Sequence, residues 1–174
     1  MKRYYLAIAL CFLFSSAHGC SVASARTSAV DPAGRFAVSF KEGLSNFKST
    51  TQFVFDKDKG ITQVQTLFHQ AEDSLFESAI ETVYTSAIDN SVTGLTDILN
   101  KKLFTDSTKS VGTFTSVSVQ GLLGLRGTAV TSTSTIHTEV FASGKTLYQL
   151  TVIIKNTGDQ GEAQTFFDSF KWTE

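Results

Sequence analysis

Thr146-Leu147-Tyr148-Gln149-Leu150-Thr151-Val152-Ile153-Ile154, followed closely by Asp159-Gln160-Gly161-Glu162-Ala163-Gln164-Thr165-Phe166-Phe167-Asp168-Ser169-Phe170, is the stretch on which the fold turns. In its first part Tyr148, Leu150, Val152 and Ile154 alternate with Leu147 and Ile153, so apolar side chains point to both faces of a strand. A strand of that kind sits at the centre of a sheet, covered by helices or by a second sheet. In the second part Asp159 and Glu162 have the spacing of a capping box, which gives acceptors to two otherwise unpaired backbone N–H groups. Ala163, Phe166, Phe167 and Phe170 then fall at i, i+3, i+4 and i+7, one face of a helix. A helix that buries three Phe rings must lie across a sheet, and each fully buried ring contributes about 1.5–3 kcal/mol.

Working back from this core, period-two patterns predict strands over Thr113–Val119, Leu125–Thr131 and Ile136–Ala142. Gly121 to Gly127 makes a tight strand connection, and the Ser/Thr run Thr131–Thr135 suits a solvated hairpin. Leu95, Ile98, Leu99 and Leu103 stand at helical spacing, with Asp97 near the predicted start and Lys101 and Lys102 near the end, as the helix dipole favours. Earlier still, Phe36, Val38 and Phe40 alternate with Arg35, Ala37 and Ser39, and a further strand is expected around Thr51–Phe55. Two longer strands follow, joined by a short hairpin at Glu72-Asp73-Ser74. Ile61–Gln70 presents Val64 and Phe68 on one face; Leu75–Tyr84 presents Phe76, Ile80 and Tyr84, with Glu77 and Glu81 opposite.

The N-terminus carries an address rather than a fold. Met1-Lys2-Arg3 precedes about 11 uncharged residues, Tyr4–Phe14, and then small residues, the layout of a secretory leader. That run is too short to cross ~30 Å of hydrocarbon as a helix. Two cleavage points fit. Ala17-His18-Gly19-Cys20 is similar to the lipobox of bacterial lipoproteins and makes Cys20 a candidate lipidation site; Ala23-Ser24-Ala25 has the small-x-small pattern of ordinary signal peptidase. The expected organisation is a leader over residues 1–25 (cut before Cys20 or after Ala25), a flexible tether over 26–33, and one domain over 34–174.

Removing the first 25 of 174 residues leaves 149, enough for one domain that buries roughly 68–70% of its unfolded surface. Without Lys2 and Arg3, 15 basic side chains become 13 against 16 acidic, a net charge of −3 that gives no electrostatic reason to expect nucleic acid or an anionic bilayer as partner. The two cysteines are Cys11, inside the leader, and Cys20. Neither cut leaves a free thiol in the folded domain, which removes disulfides, thiolate catalysis and cysteine metal sites.

No chemistry-bearing motif stands out. His69 and His137 lie in predicted strands without metal-ligand spacing and are expected to be solvated at a strand surface. The run Asp56-Lys57-Asp58-Lys59-Gly60 lacks the later ligands of a calcium loop, with Leu67 at the twelfth position, and reads as a turn. Gly121-Leu122-Leu123-Gly124 precedes a strand rather than a helix, so it lacks the dipole of a phosphate cradle. There is no G-x-S-x-G elbow.

The order of these elements, with Gly34–Phe40, Gly121–Gly124, Leu147–Leu150 and Phe166–Phe170 as its packing motifs, resembles the PsbP/Mog1-like fold group and, within it, exported bacterial members of unassigned function. The resemblance implies an α+β fold, an antiparallel sheet of about six or seven strands flanked by two helices as an α/β/α sandwich. It also implies action by binding other proteins, as extrinsic photosystem subunits or a small-GTPase partner do, with no catalytic residues to carry over. The resulting expectation is a non-enzymatic protein-binding or assembly module at the cell envelope, without cofactor, catalytic residues or metal, touching membrane only through a lipid at Cys20. A binder of small apolar ligands, which needs a cavity above ~300 Å³ between the Phe-rich helix and the sheet, is the alternative; a hydrolase using His69 or His137 is the more distant one. Because neither cut leaves a cysteine pair, adding reductant to the mature protein is expected to leave its thermal unfolding midpoint unchanged; a downward shift would reveal a stabilising disulfide.

Overall fold

The computed structural model describes residues 26–30, 35–41, 47–52, 56, 58–71, 75–103 and 110–173. The expected leader with Cys11 and Cys20, the 72–74 connection, and parts of the expected tether and of the Thr51–Phe55 strand lie outside them. The fold is α+β. Its main sheet is antiparallel and eight-stranded, built from β3 (Phe47–Gln52), β4 (Ile61–Ala71), β5 (Leu75–Tyr84), β6 (Ser110–Val111), β7 (Thr115–Val119), β8 (Leu122–Val130), β9 (Ser134–Ser143) and β10 (Thr146–Lys155). Its order is β3-β4-β5-β10-β9-β8-β6, with β7 also paired to β8. β1 (Arg26–Val30), β2 (Phe36–Lys41) and β11 (Lys171–Trp172) form a second sheet of three strands in the order β1-β2-β11. The helices are α1 (Val92–Leu103) and α2 (Gly161–Asp168).

β10 is central, between β5 and β9, as its two apolar faces require. Tyr148, Leu150, Val152 and Ile154 face the small sheet and α2, where Phe36, Val38, Phe40, Ala163, Phe166, Phe167 and Phe170 complete the core. The rings interlock: Phe141 stacks on Phe170 at 5.6 Å, and Phe40 meets Phe166 at 5.6 Å. On the opposite face Leu95 and Leu99 of α1 pack on Leu125, Ala129, Val140, Ala142 and Leu147. One face is therefore covered by a sheet and a helix together, the other by a single helix over the β8–β10 end.

Five local expectations change. Arg26–Val30, expected as tether, is a strand paired along its whole length with β2, from Arg26↔Lys41 to Val30↔Ala37. Its Arg26 is drawn into a buried ion network, described below. The main sheet exceeds the expected strand number because β6 and β7 both use the edge of β8, while β2 leaves it for the second sheet. The first helix begins at Val92, so Asp97 lies mid-helix; the cap is Ser91, whose Oγ accepts from the Gly94 N–H at 3.1 Å. In α2 the Asp159 carboxylate accepts from the Gly161 N–H at 2.9 Å, but Glu162 does not close a capping box: its carboxylate goes to Arg26 and Lys41, charged donors that outcompete a backbone amide.

The fifth change is an inversion. The alternation expected along β4 and β5 is present, but the face turned to the core carries Glu77, Glu81, His69 and Gln65 beside Leu67, Leu75 and Ala79. Phe68, Phe76 and Ile80 lie on the other face, half-buried. The β7–β8 hairpin has left-handed residues at both central positions, Gln120 (φ 49°) and Gly121 (φ 82°), the primed turn that matches strand twist. Gly124 permits a close approach, since a Cβ there would stand 2.4 Å from the Phe141 ring. Phe166→Ala is expected to cost about 3–5 kcal/mol in urea unfolding, whereas Phe76→Ala, on the open face, costs under about 1 kcal/mol. Equal losses would place both rings in one core.

Candidate functional site

Three glutamates, Glu77, Glu81 and Glu139, are buried on the core side of the main sheet. Glu77 is fully buried and accepts from the Arg26 guanidinium at 3.1 Å and from the Lys41 backbone N–H at 3.1 Å. Arg26 also reaches Glu162 of α2 at 2.9 Å, and Lys41 meets the same carboxylate. Glu81 pairs with Arg35, and Glu139 on β9 pairs with Arg126 on β8. Burial pushes Glu77 above the ordinary carboxylate range, with the Lys41 N–H and Arg26 pulling back; burial raises Glu139 likewise, with Arg126 opposing and Asp168 adding to the rise.

The first surface is a cleft of about 410 Å³ on the core side of the sheet, where β7 and β8 meet α2. Val117, Val119, Phe167 and Phe170 supply its apolar walls; Ser118, Arg126, Glu139, Gln164 and Asp168 supply its polar groups. Arg126 gives Nε and Nη2 to Glu139 Oε1 and Nη1 to Gln164 at 2.6 Å, and its guanidinium lies 5.1 Å from the Phe167 ring centre. Gln164 in turn donates to Asp168 Oδ1 at 2.6 Å.

The second surface is a groove of about 350 Å³ on the opposite face, beyond the reach of α1. Phe68 and Thr66 of β4, Phe76, Ser78 and Ile80 of β5, and Gln149 and Thr151 of β10 line it. Phe68 and Phe76 stack at 6.1 Å with an interplanar angle of 29°. None of these lining residues is charged. Thr151 is tied to Thr138 at 3.3 Å and to Gln149 at 3.1 Å, so the polar end of the groove is already bonded within the fold.

The histidines do not form a site. His69 is buried, against the expectation of a solvated ring: it lies 5.9 Å from the Phe40 ring with Nδ1 3.8 Å from Glu77 Oε2. His137 is half-buried, with Nδ1 3.3 Å from Thr128 Oγ1 and Nε2 3.1 Å from Gln160 Oε1. The two share one row across the sheet, His69↔Glu77↔Val152↔His137. Three strand spacings of about 4.8 Å separate them, too far for a common metal. Among the described residues no group of three or more His, Cys, Asp or Glu is placed to hold a metal ion. Asp56 serves a turn, its carboxylate accepting from the Lys59 N–H at 3.1 Å and pairing with the Lys59 ammonium. The candidate lipidation site Cys20 lies outside the described residues.

Arg126, Glu139 and the Phe68–Phe76–Ile80 group were not singled out by the sequence. A signal for them does exist in the sequence, the glutamates Glu77, Glu81 and Glu139 on strands otherwise suited to a core.

No protein-family model matches this sequence, and no curated protein matches it. Among solved structures the chain is similar to cyanobacterial PsbP (CyanoP) from Synechocystis sp. PCC 6803, at 14% identity and a TM-score of 0.48, covering 92% of this chain and 99% of that one. It is also similar to a protein from Bacteroides thetaiotaomicron VPI-5482, at 9% identity and a TM-score of 0.42 over 84% of this chain. The chain spans about half the length of that Bacteroides protein, 48%.

The raised carboxyls set a pH dependence. A folded value above the unfolded one means the native state holds the proton more tightly, so this stabilisation is present below the ordinary Glu value and lost as pH rises through the folded one. In urea titrations Glu77→Gln is expected to gain on the parent protein as pH climbs from about 4.5 toward neutrality. A difference that stays constant with pH would show that Glu77 is not held in the raised state.

Proposed function

We propose that this chain is an exported, non-enzymatic binding module that docks another protein on the uncovered half of its main sheet. The observation that carries this is the groove lined by Phe68, Phe76 and Ile80, an apolar surface on the face that α1 covers only over β8–β10. Because its lining is uncharged, the complementary partner is an uncharged apolar segment; a charged one would lose hydration without gaining a counter-ion. α1 shows the geometry that fits, an amphipathic helix laying two leucines on the same face.

The basic start and short apolar run of residues 1–25 support export, with the mature chain beginning at Cys20 or Arg26. Both cuts leave Arg26 in place, and with it β1. If Cys20 carries lipid, the few residues before Arg26 span at most about 20 Å, so the domain rides close to the bilayer.

A photo-crosslinker at Phe76 is expected to trap one reproducible partner in intact cells, and a crosslinker at Thr133 on the far rim is not. Adding Ile80→Asp should abolish the adduct while the circular dichroism spectrum stays unchanged. The same adduct from both positions, or one that survives Ile80→Asp, would remove the groove from the interaction.

A further inference from the structure

The cleft at α2 is a different kind of place from the groove, and its charges decide what it accepts. Arg126 is engaged within the fold: its Nε and Nη2 are on one oxygen of Glu139, its Nη1 is on Gln164, and Phe167 lies against its guanidinium. Glu139 is 2% exposed and lines the cleft, and both of its bonds from Arg126 fall on one oxygen, Oε1. Among the described residues Asp168 receives only the neutral Gln164 amide, on Oδ1. With one arginine against two carboxylates, the cleft carries a net negative charge beside the walls formed by Val117, Val119, Phe167 and Phe170.

Three classes of occupant can be compared. An anion would face both carboxylates, with the arginine already neutralised. A purely apolar molecule would cover the Glu139 and Asp168 carboxylates without bonding either, at the cost of an unpaired buried polar group. A cation on a hydrocarbon stem satisfies both demands: its N–H donors meet the two carboxylates while its carbons lie on the rings. We propose that this cleft binds an organic ammonium group on an alkyl or aryl stem, its charge held by Glu139 and Asp168 and its stem by Phe167 and Phe170. The same chemistry is offered by the lysine side chain of another protein and by a free amine.

The volume of about 410 Å³ is within the usual range for small-molecule sites. The electrostatics agree: Asp168 adds to the upward push on Glu139, so the carboxylates feel one another, and a cation between them relieves that repulsion. Binding must then weaken as the pH falls through the Glu139 titration and the site loses one of its two carboxylate charges.

The probes are hexylamine, 1-hexanol and hexanoate, titrated into the purified protein and followed by amide chemical shifts. Hexylamine is expected to saturate below about 10 mM, with shifts centred on β7, β8 and α2, and the alcohol and carboxylate to bind at least about tenfold more weakly. Asp168→Asn, at an exposed position that does not threaten the fold, should weaken hexylamine about tenfold. Glu139→Gln should do the same and abolish the pH dependence. An Nα-acetyl-lysine amide that binds more tightly than hexylamine assigns a protein side chain as the natural occupant; the reverse order assigns a free amine. The proposal is overturned if 1-hexanol binds as tightly as hexylamine, if Asp168→Asn leaves the amine affinity unchanged, or if no cleft resonance saturates.

Discussion

Glu77 cannot stand where it does without Arg26, and most of the architecture follows from satisfying that one carboxylate. Taking a carboxylate out of water costs several kcal/mol unless a counter-charge and hydrogen-bond donors replace the solvent. On this chain the replacement comes from two other elements, the guanidinium of β1 and the backbone N–H of Lys41 at the end of β2; the Glu162 carboxylate of α2 shares Arg26 and is thereby tied to the same network. The network therefore ties β1 and β2 of the small sheet to β5 of the main sheet and to α2. Glu81 with Arg35 and Glu139 with Arg126 repeat the arrangement at two other points of the same face.

Assigning the glutamates to the covered face leaves the opposite face of β4 and β5 with the aromatic residues. In a domain optimised for stability alone, Phe68, Phe76 and Ile80 would face α2 and the glutamates would face water, since hydrocarbon burial stabilises without a desolvation cost. The inverse arrangement gives up some of that stabilisation and acquires an apolar surface, which is the usual mark of a binding site on a protein that is otherwise soluble. The two surfaces lie on opposite faces of the main sheet: Arg126 of β8 and Glu139 of β9 line the cleft on the core side, while Gln149 and Thr151 of β10 line the groove on the other. Neither occupant would obstruct the other.

The sequence made the architecture legible wherever apolar periodicity was strong and both faces of an element had a role. Thr146–Ile154 could only be central, and the Phe166, Phe167, Phe170 stripe could only lie on a sheet. It was silent where a decision depended on a partner distant in the chain. Alternation in Leu75–Tyr84 shows two faces but not which one the rest of the protein covers, and the deciding residue, Arg26, lies 51 positions from Glu77 in a segment that looked like tether. The small polar composition of Arg26–Val30 is what an edge strand and a linker have in common: Thr27, Ser28 and Val30 are exposed, and only Ala29 and the arginine are held in. Glu162 leaves its expected place in a capping box for the same reason, since a capping box is a local pattern and Arg26 lies 136 positions away. The cleft escaped notice because Arg126, Glu139 and Asp168 come from β8, β9 and α2, elements that no short motif joins.

The place of Arg26 also bears on the leader proposed for residues 1–25. A cut one residue later than Ala25 would remove the guanidinium that Glu77 and Glu162 share, leaving a buried carboxylate without its nearest positive charge, so the fold tolerates cleavage up to Arg26 and not beyond it. Both cleavage patterns in the sequence respect that boundary, Cys20 by several residues and Ala25 with none to spare. The ordinary signal-peptidase reading would make Arg26 the first residue of the mature chain and put its new α-ammonium at the end of β1 beside Lys41, its partner in the ladder. The lipoprotein reading leaves a peptide bond there instead and no added charge. The choice between the two cuts therefore changes the electrostatics of the network that holds β1 down, and is not merely a matter of where the chain is attached.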